Sequence, residues 1–249
     1  MKGSAQPIVS VTAYDAPTAS LADQAGVDFI LVGDSVGTTV MGMKSTLTVS
    51  LEAMIHHTAA ASRGIERALI VGDLPFGSYQ SSVAQAVDSA VALVKAGAEA
   101  VKLEGSYTEA IQAIVNAGIP CMGHVGFTPQ SINKFGGHRV QGRGDGSEAV
   151  LAAAKAVEDA GAFAVVLELI PADLAREITC SISIPTIGIG AGPHCDGQVQ
   201  VLHDILGLTP LKLKHAKIYL DGNEAIRRAI QTYADEVRSG AFPASEHSA

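Results

Sequence analysis

Five short apolar segments of this chain run into side chains that can bind a cation or move a proton. Phe29–Gly33 leads to Asp34 and Ser35, Leu69–Gly72 to Asp73, and Ala164–Leu167 to Glu168; Ala100–Leu103 holds Lys102 and meets Glu104, and Cys121–Val125 holds His124. An all-oxygen set of carboxylates suits Mg²⁺, a hard ion that keeps several waters and takes only one or two carboxylates directly. Lys102 and Glu104 lie two apart, so on a strand they share one face. There they form either an internal ion pair or part of a polar site, because buried charges demand partners. A histidine in an apolar strand is commonly a hydrogen-bonded core residue, but the strand-end position of His124, among the glycines of Met122-Gly123-His124-Val125-Gly126, favours a site. The apolar run before Glu168 disfavours its charged form and tunes it toward a base working near neutrality; a salt bridge to a neighbouring strand is the alternative. Asp34, Ser35 and Asp73 also read as helix caps. Against capping, a Gly- and Met-containing loop separates Asp34 from Leu51, and Leu74-Pro75-Phe76 follows Asp73.

These groups act together only if the segments carrying them end at one opening. Eight apolar, β-branched runs recur: Ile8–Thr12, Phe29–Gly33, Leu69–Gly72, Ala100–Leu103, Cys121–Val125, Ala164–Leu167, Thr186–Ile189 and Gln200–Leu206. Between them lie Ala-rich helical patterns such as Leu51–Arg63, Ser81–Lys95 and Glu148–Ala160, with glycines at Gly26, Gly97, Gly118 and Gly161 where a helix turns into the next strand. Eight βα units in 249 residues predict an α/β fold, a (β/α)8 TIM-type barrel whose site lies at the carboxyl ends of the strands. A doubly wound open sheet is the competing arrangement, but no strand-linked GxGxxG with a following acid is present. Residues 1–249 are expected to form a single barrel domain, with 222–249 a helical tail that packs on the body or on another subunit. The long glycine-bearing segment Gly126–Gly146, with Arg139 and Arg143, reads as a loop of the kind that forms lids. Gly188-Ile189-Gly190-Ala191-Gly192 fits a phosphate cradle or simply close loop packing, and His194-Cys195 lacks metal-ligand spacing.

Composition removes other classes. A net charge of −8, from 17 Lys plus Arg against 25 Asp plus Glu, leaves no footprint for nucleic acid or an anionic membrane. No apolar stretch reaches the roughly 18 residues of a membrane span, and the opening residues lack a secretion signal, so a cytoplasmic protein is expected. Cys121, Cys180 and Cys195 are too few and too scattered for a disulfide framework or a thiolate zinc site.

Several strings, taken in order, resemble the ketopantoate (3-methyl-2-oxobutanoate) hydroxymethyltransferase family. They are Val32-Gly33-Asp34-Ser35, Gly72-Asp73-Leu74-Pro75-Phe76, Val101-Lys102-Leu103-Glu104-Gly105, Gly123-His124-Val125-Gly126-Phe127-Thr128-Pro129-Gln130-Ser131, Gln141-Gly142-Arg143-Gly144 and Gly188-Ile189-Gly190-Ala191-Gly192, and the match runs from about Ile8 to Leu208. The resemblance implies a (β/α)8 barrel of the phosphoenolpyruvate mutase and isocitrate lyase group with an extra C-terminal helix, assembled as a homodecamer. It implies transfer of a hydroxymethyl group from 5,10-methylenetetrahydrofolate to 3-methyl-2-oxobutanoate through an enolate stabilised by one Mg²⁺ per subunit, giving 2-dehydropantoate for pantothenate synthesis. By the same resemblance Asp34 and Asp73 bind the metal directly, Glu104 joins it through water, Ser35, Lys102 and His124 hold the keto acid, and Glu168 is the base. The chain departs from the family at Leu211-Lys212-Leu213-Lys214-His215, where proline, a basic residue and phenylalanine are usual, and at Ala249, where an aromatic is common. A related Mg²⁺-dependent C–C or C–P lyase or mutase is the alternative within enzymes, although no Lys-Lys-Cys-Gly-His-type motif is present; a non-catalytic metal-binding barrel is the alternative outside them.

Overall fold

The computed structural model describes residues 2–3, 6–209 and 213–248. Leu211, Lys212 and Ala249, three of the departures from the family pattern, lie outside the described residues. Two compact units are present, Met1–Val201 and Leu202–Ala249.

The first unit is a closed barrel of eight parallel strands in sequence order. The strands are β1 (Ile8–Thr12), β2 (Phe29–Val32), β3 (Leu69–Asp73), β4 (Ala100–Lys102), β5 (Cys121–Gly126), β6 (Ala164–Glu168), β7 (Thr186–Ile189) and β8 (Gly197–Gln200). Its helices are α1 (Ala16–Gln24), the short α2 (Val36–Thr39), α3 (Leu51–Ser62), α4 (Val83–Lys95), α5 (Thr108–Asn116), the single-turn α6 (Ile132–Phe135), α7 (Gly146–Asp159) and α8 (Ala172–Ser181). Inward residues of the strands make one apolar core, including Phe29, Leu31, Val71, Ala100, Met122, Val166 and Ile187. The helix-ending glycines do what their position predicts: Gly26, Gly97, Gly118 and Gly161 all hold φ between +86° and +109°, a region other residues enter only with strain.

The eighth strand differs from the expected Gln200–Leu206. It is formed earlier, by Gly197–Gln200, and Leu202–Ile205 is a helix, α9. Val201, Leu202, Ile205 and Leu206 are spaced three and four apart, a helical stripe that an apolar run conceals. Gly197 also has a steric reason: at the seam where β8 meets β1, a Cβ on it would lie 2.5 Å from the Ile8 carbonyl oxygen.

The second unit holds α9 and α10 (Gly222–Ser239). Asp221 caps α10 through the Glu224 N–H, and Gly240 ends it in the left-handed conformation at φ +76°. Among the described residues no helix is long and apolar enough to cross a membrane.

Candidate active site

The two-residue period of a strand carries the core face straight into the site. Val71 is two residues before Asp73, Ala100 before Lys102, Met122 before His124, and Val166 before Glu168; all four apolar members belong to the barrel core. The last inward position of each of these four strands is therefore polar, and the closure of the barrel points these side chains at one another across the carboxyl-terminal mouth.

The distances bear this out. Lys102 Nζ lies 2.8 Å from Asp73 Oδ1, 4.0 Å from Glu104 Oε1 and 3.4 Å from His124 Nδ1. His124 Nε2 lies 3.2 Å from Glu168 Oε2. The Asp34 backbone N–H donates to Asp73 Oδ2 at 3.2 Å, which sets the two aspartates side by side. Asp34, Asp73, Lys102, Glu104 and His124 are all buried, whereas the Glu168 side chain keeps 16% exposure. Ser35 stands at the start of α2 but its hydroxyl makes no cap bond; it pairs with the Tyr14 hydroxyl at 2.9 Å. The helices are capped instead by Asp15, Ser50 and Ser82, so the capping alternative for Asp34, Ser35 and Asp73 is not what the chain uses.

The electrostatics follow from burial. Removal from water, reinforced by the Asp34 charge and opposed by Lys102, pushes the Asp73 carboxyl up to about 7. Burial, with Asp34 beside it, drives Glu104 well above the usual carboxylate range. Burial disfavours the Lys102 charge too, but Asp73, Glu104 and Asp34 together overcome this and hold the ammonium firmly protonated. Burial, and then the Lys102 charge, depress His124 well below an ordinary histidine, so it is neutral. With the Lys102 ammonium facing Nδ1, the single imidazole proton belongs on Nε2, turned toward Glu168.

Asp34, Asp73 and Glu104, fully ionised, put three negative charges against the one positive charge of Lys102. Two negative charges in a dry pocket are relieved by protonation or by a divalent cation. The donor set fits the second: two adjacent aspartates offer oxygen to a hard ion, and Mg²⁺ completes its shell with water. Among the described residues no three His, Cys, Asp or Glu side chains converge tightly enough to hold an ion unaided.

A sequence profile of the family described as ketopantoate hydroxymethyltransferase matches residues 1–245. The chain belongs to the ketopantoate hydroxymethyltransferase family. A relative from Moorella thermoacetica, named 3-methyl-2-oxobutanoate hydroxymethyltransferase, is 54% identical over 253 residues, covering 100% of this chain and 94% of the relative. One of the same name from Thermotoga maritima is 52% identical, covering 100% and 93%. Among solved structures, a phosphonopyruvate hydrolase in complex with oxalate and Mg²⁺ aligns with TM-score 0.65 at 14% identity, over 98% of this chain and 89% of that one. A 2,3-dimethylmalate lyase of the PEP mutase/isocitrate lyase superfamily aligns with TM-score 0.62 at 15% identity, over 98% and 87%. Likeness at that identity establishes the fold alone, a closed (β/α)8 barrel.

Sequence reasoning left three residues of this ketopantoate hydroxymethyltransferase family site without a role. Tyr14 supports Ser35. Tyr79 and Gln130, from the loops after β3 and β5, are buried against the acids: the Gln130 N–H donates to Glu104 Oε2 at 2.8 Å, its side-chain amide donates to Asp34 Oδ2 at 3.0 Å, and the Tyr79 hydroxyl donates to Gln130 Oε1 at 2.7 Å. A buried loop glutamine gives no periodic signal; only its place two residues past a strand-end Phe-Thr marks it. The segment expected to be an open loop, Gly126–Gly146, is partly structured, with a turn at Pro129–Ser131 followed by α6. Phe127 is buried against Phe135 and His138. The Phe127 and Gln141 N–H groups donate to the carbonyls of Glu168 and Leu169. Leu169 holds φ +47°, the sole non-glycine residue with positive φ among the described residues, directly after Glu168; such strain persists where the surroundings enforce it. Of the glycines after β7, Gly192 is there for packing, since a Cβ would meet the Ala172 Cβ at 2.5 Å.

Proposed function

We propose that this protein transfers a hydroxymethyl group from 5,10-methylenetetrahydrofolate to 3-methyl-2-oxobutanoate, giving 2-dehydropantoate, the precursor required for pantothenate. The observation that carries the reading is the continuous chain of contacts from Glu168 through His124 and Lys102 to Asp73 and Asp34. It brings Glu168 beside an acidic pocket at one barrel mouth, which supports the reading of Glu168 as a base that takes a proton next to a ketone.

C3 of the keto acid is a weak carbon acid. Asp34 and Asp73 would hold Mg²⁺ directly and Glu104 through water, and when bound the ion supplies positive charge where the keto oxygen gains negative charge. Lys102 and Ser35 bind and orient the substrate carboxylate and keto group, and His124 presents Nε2–H to a substrate oxygen, fixing C3 toward the base. Glu168 takes the C3 proton. The resulting carbanion equivalent forms the new C–C bond to the one-carbon unit, whose two bonds to the folate nitrogens break; water supplies the hydroxyl oxygen and one of its protons, and the other water proton and the proton taken from C3 end on the two folate nitrogens. Phe127 and its loop exclude bulk water from the mouth. The reading carries with it a homodecamer and a cytoplasmic location, which sedimentation and fractionation measure.

The deciding experiment incubates the protein with Mg²⁺ and either 3-methyl-2-oxobutanoate plus 5,10-methylenetetrahydrofolate, oxaloacetate, or a phosphonate. Product only in the first arm supports the proposal; turnover only in either of the others replaces it with a lyase or mutase, and none in any arm with a binding protein.

A further inference from the structure

Gln130 uses its whole hydrogen-bonding capacity inside the site. Its two amide N–H groups donate to Asp34 Oδ2 and to the Leu74 carbonyl, both at 3.0 Å. Its carbonyl oxygen accepts from the Tyr79 hydroxyl at 2.7 Å and from Gln80 Nε2 at 3.3 Å. A flipped amide would turn its oxygen on a carboxylate and a carbonyl, so only one orientation is tenable. Tyr79 braces that orientation from the other side: its hydroxyl accepts the Glu104 N–H at 3.2 Å and has two acceptors within reach, the Glu104 carbonyl at 3.1 Å and, closer, Gln130 Oε1 at 2.7 Å. The Gln130 backbone N–H meanwhile donates to Glu104 Oε2. One residue thus grips two of the three buried acids, and it belongs to the loop that is pinned to Glu168 through the Phe127 N–H.

We propose that Gln130 is a positioning residue that fixes the Asp34 carboxylate for a divalent cation and ties the loop after β5 to the occupancy of that site. With Oδ2 engaged by the amide, the other Asp34 oxygen is left to face the cation. The tie is reciprocal: whatever the cation gains from a loop that holds Asp34 still, the loop gains in order from a bound cation. The inference rests on the reading of Asp34 and Asp73 as cation ligands.

The test uses Mn²⁺ alone, titrated into the full-length protein and followed by the loss of its free-ion EPR signal, together with hydrogen exchange of the amides from Gly126 to Gln141 with and without Mn²⁺. The variants are Gln130→Met, which keeps the volume and removes the donors, and Tyr79→Phe, which removes the hydroxyl that braces Gln130 and bonds the Glu104 backbone. Wild type is expected to bind Mn²⁺ and to slow loop exchange on binding. Gln130→Met should weaken Mn²⁺ about 10–100-fold, the usual effect of removing a partner of a metal ligand, and lose the Mn²⁺-dependent slowing; Tyr79→Phe should move both in the same direction by less. A purely structural glutamine would lower the metal-free melting temperature and leave Mn²⁺ affinity alone. Gln130→Met binding within twofold of wild type, or a wild-type loop indifferent to Mn²⁺, overturns the inference; should Gln130→Met fail to fold, unchanged affinity in Tyr79→Phe does so. Wild type that binds no Mn²⁺ would instead remove the cation reading beneath it.

Discussion

Replacing Glu168 by glutamine isolates the proton-transfer step. The side chain is mostly buried, with Oε2 3.2 Å from His124 Nε2. An amide of the same shape fills the same place beside neutral His124, with no ion pair lost. Fold and keto-acid binding should therefore survive, with affinity changed by no more than about threefold, whereas the amide cannot take a proton. Loss of a general base costs typically 10²–10⁴-fold, about 3–5 kcal/mol of barrier at 1.36 kcal/mol per decade. The assay omits the folate: 3-methyl-2-oxobutanoate is incubated with protein and Mg²⁺ in D₂O and the decay of its C3–H resonance is followed by NMR, while the Kd for the keto acid is measured separately. Exchange at the wild-type rate in Glu168→Gln would refute the assignment, and equal loss of exchange and binding would make Glu168 a binding group.

Asp34→Ala and Asp73→Ala should each weaken Mg²⁺ and keto-acid binding together in calorimetric titrations; keto-acid affinity that is unchanged and independent of metal would contradict chelation. Gly197→Ala should lower the melting temperature by an amount equivalent to roughly 1–3 kcal/mol, because its new methyl meets the Ile8 backbone at 2.5 Å, and a melting curve that superposes on wild type would show that the seam has slack. In the metal-free protein the stability that Asp73 contributes should fall as pH rises from about 4 to about 7, while burial of neutral His124 and the bonds that lower Asp23, Glu158 and Asp196 work in the opposite direction, so the difference between wild type and Asp73→Asn isolates it. Asp73 binds its proton more tightly folded than unfolded, so its contribution is fully present below the unfolded value of about 3.8 and disappears as pH passes the folded one. Chemical denaturation of wild type and Asp73→Asn across that range, without Mg²⁺, measures this; a wild-type-minus-variant difference that climbs through the interval would reverse the sign assigned to Asp73.

What could be read from the sequence divides along a physical line. Asp73, Lys102, His124 and Glu168 were legible because a strand alternates faces, so a polar residue two beyond a core residue inherits its direction. Asp34 and Ser35 follow β2 by two and three residues, and the same closure brings them along. Gln200–Leu206 misled because an apolar run serves a strand and a buried helical turn alike; only the close approach of Gly197 to Ile8 marks where the barrel shuts. Gln130 and Tyr79 lie on loops, where direction is set by tertiary contact and no period reports it. Their bonds to Asp34 and Glu104 span 96 and 25 positions of sequence separation. Strand periodicity thus brings the charged groups to one mouth, and the loop residue Gln130 engages one oxygen each of Asp34 and Glu104 there. A barrel carrying the same strand-end residues with different loops would keep the charge imbalance and lose the fixed orientation of Asp34, so the specificity of the chemistry is to be sought in Thr128–Ser131 and Leu74–Gln80 as much as in the strands.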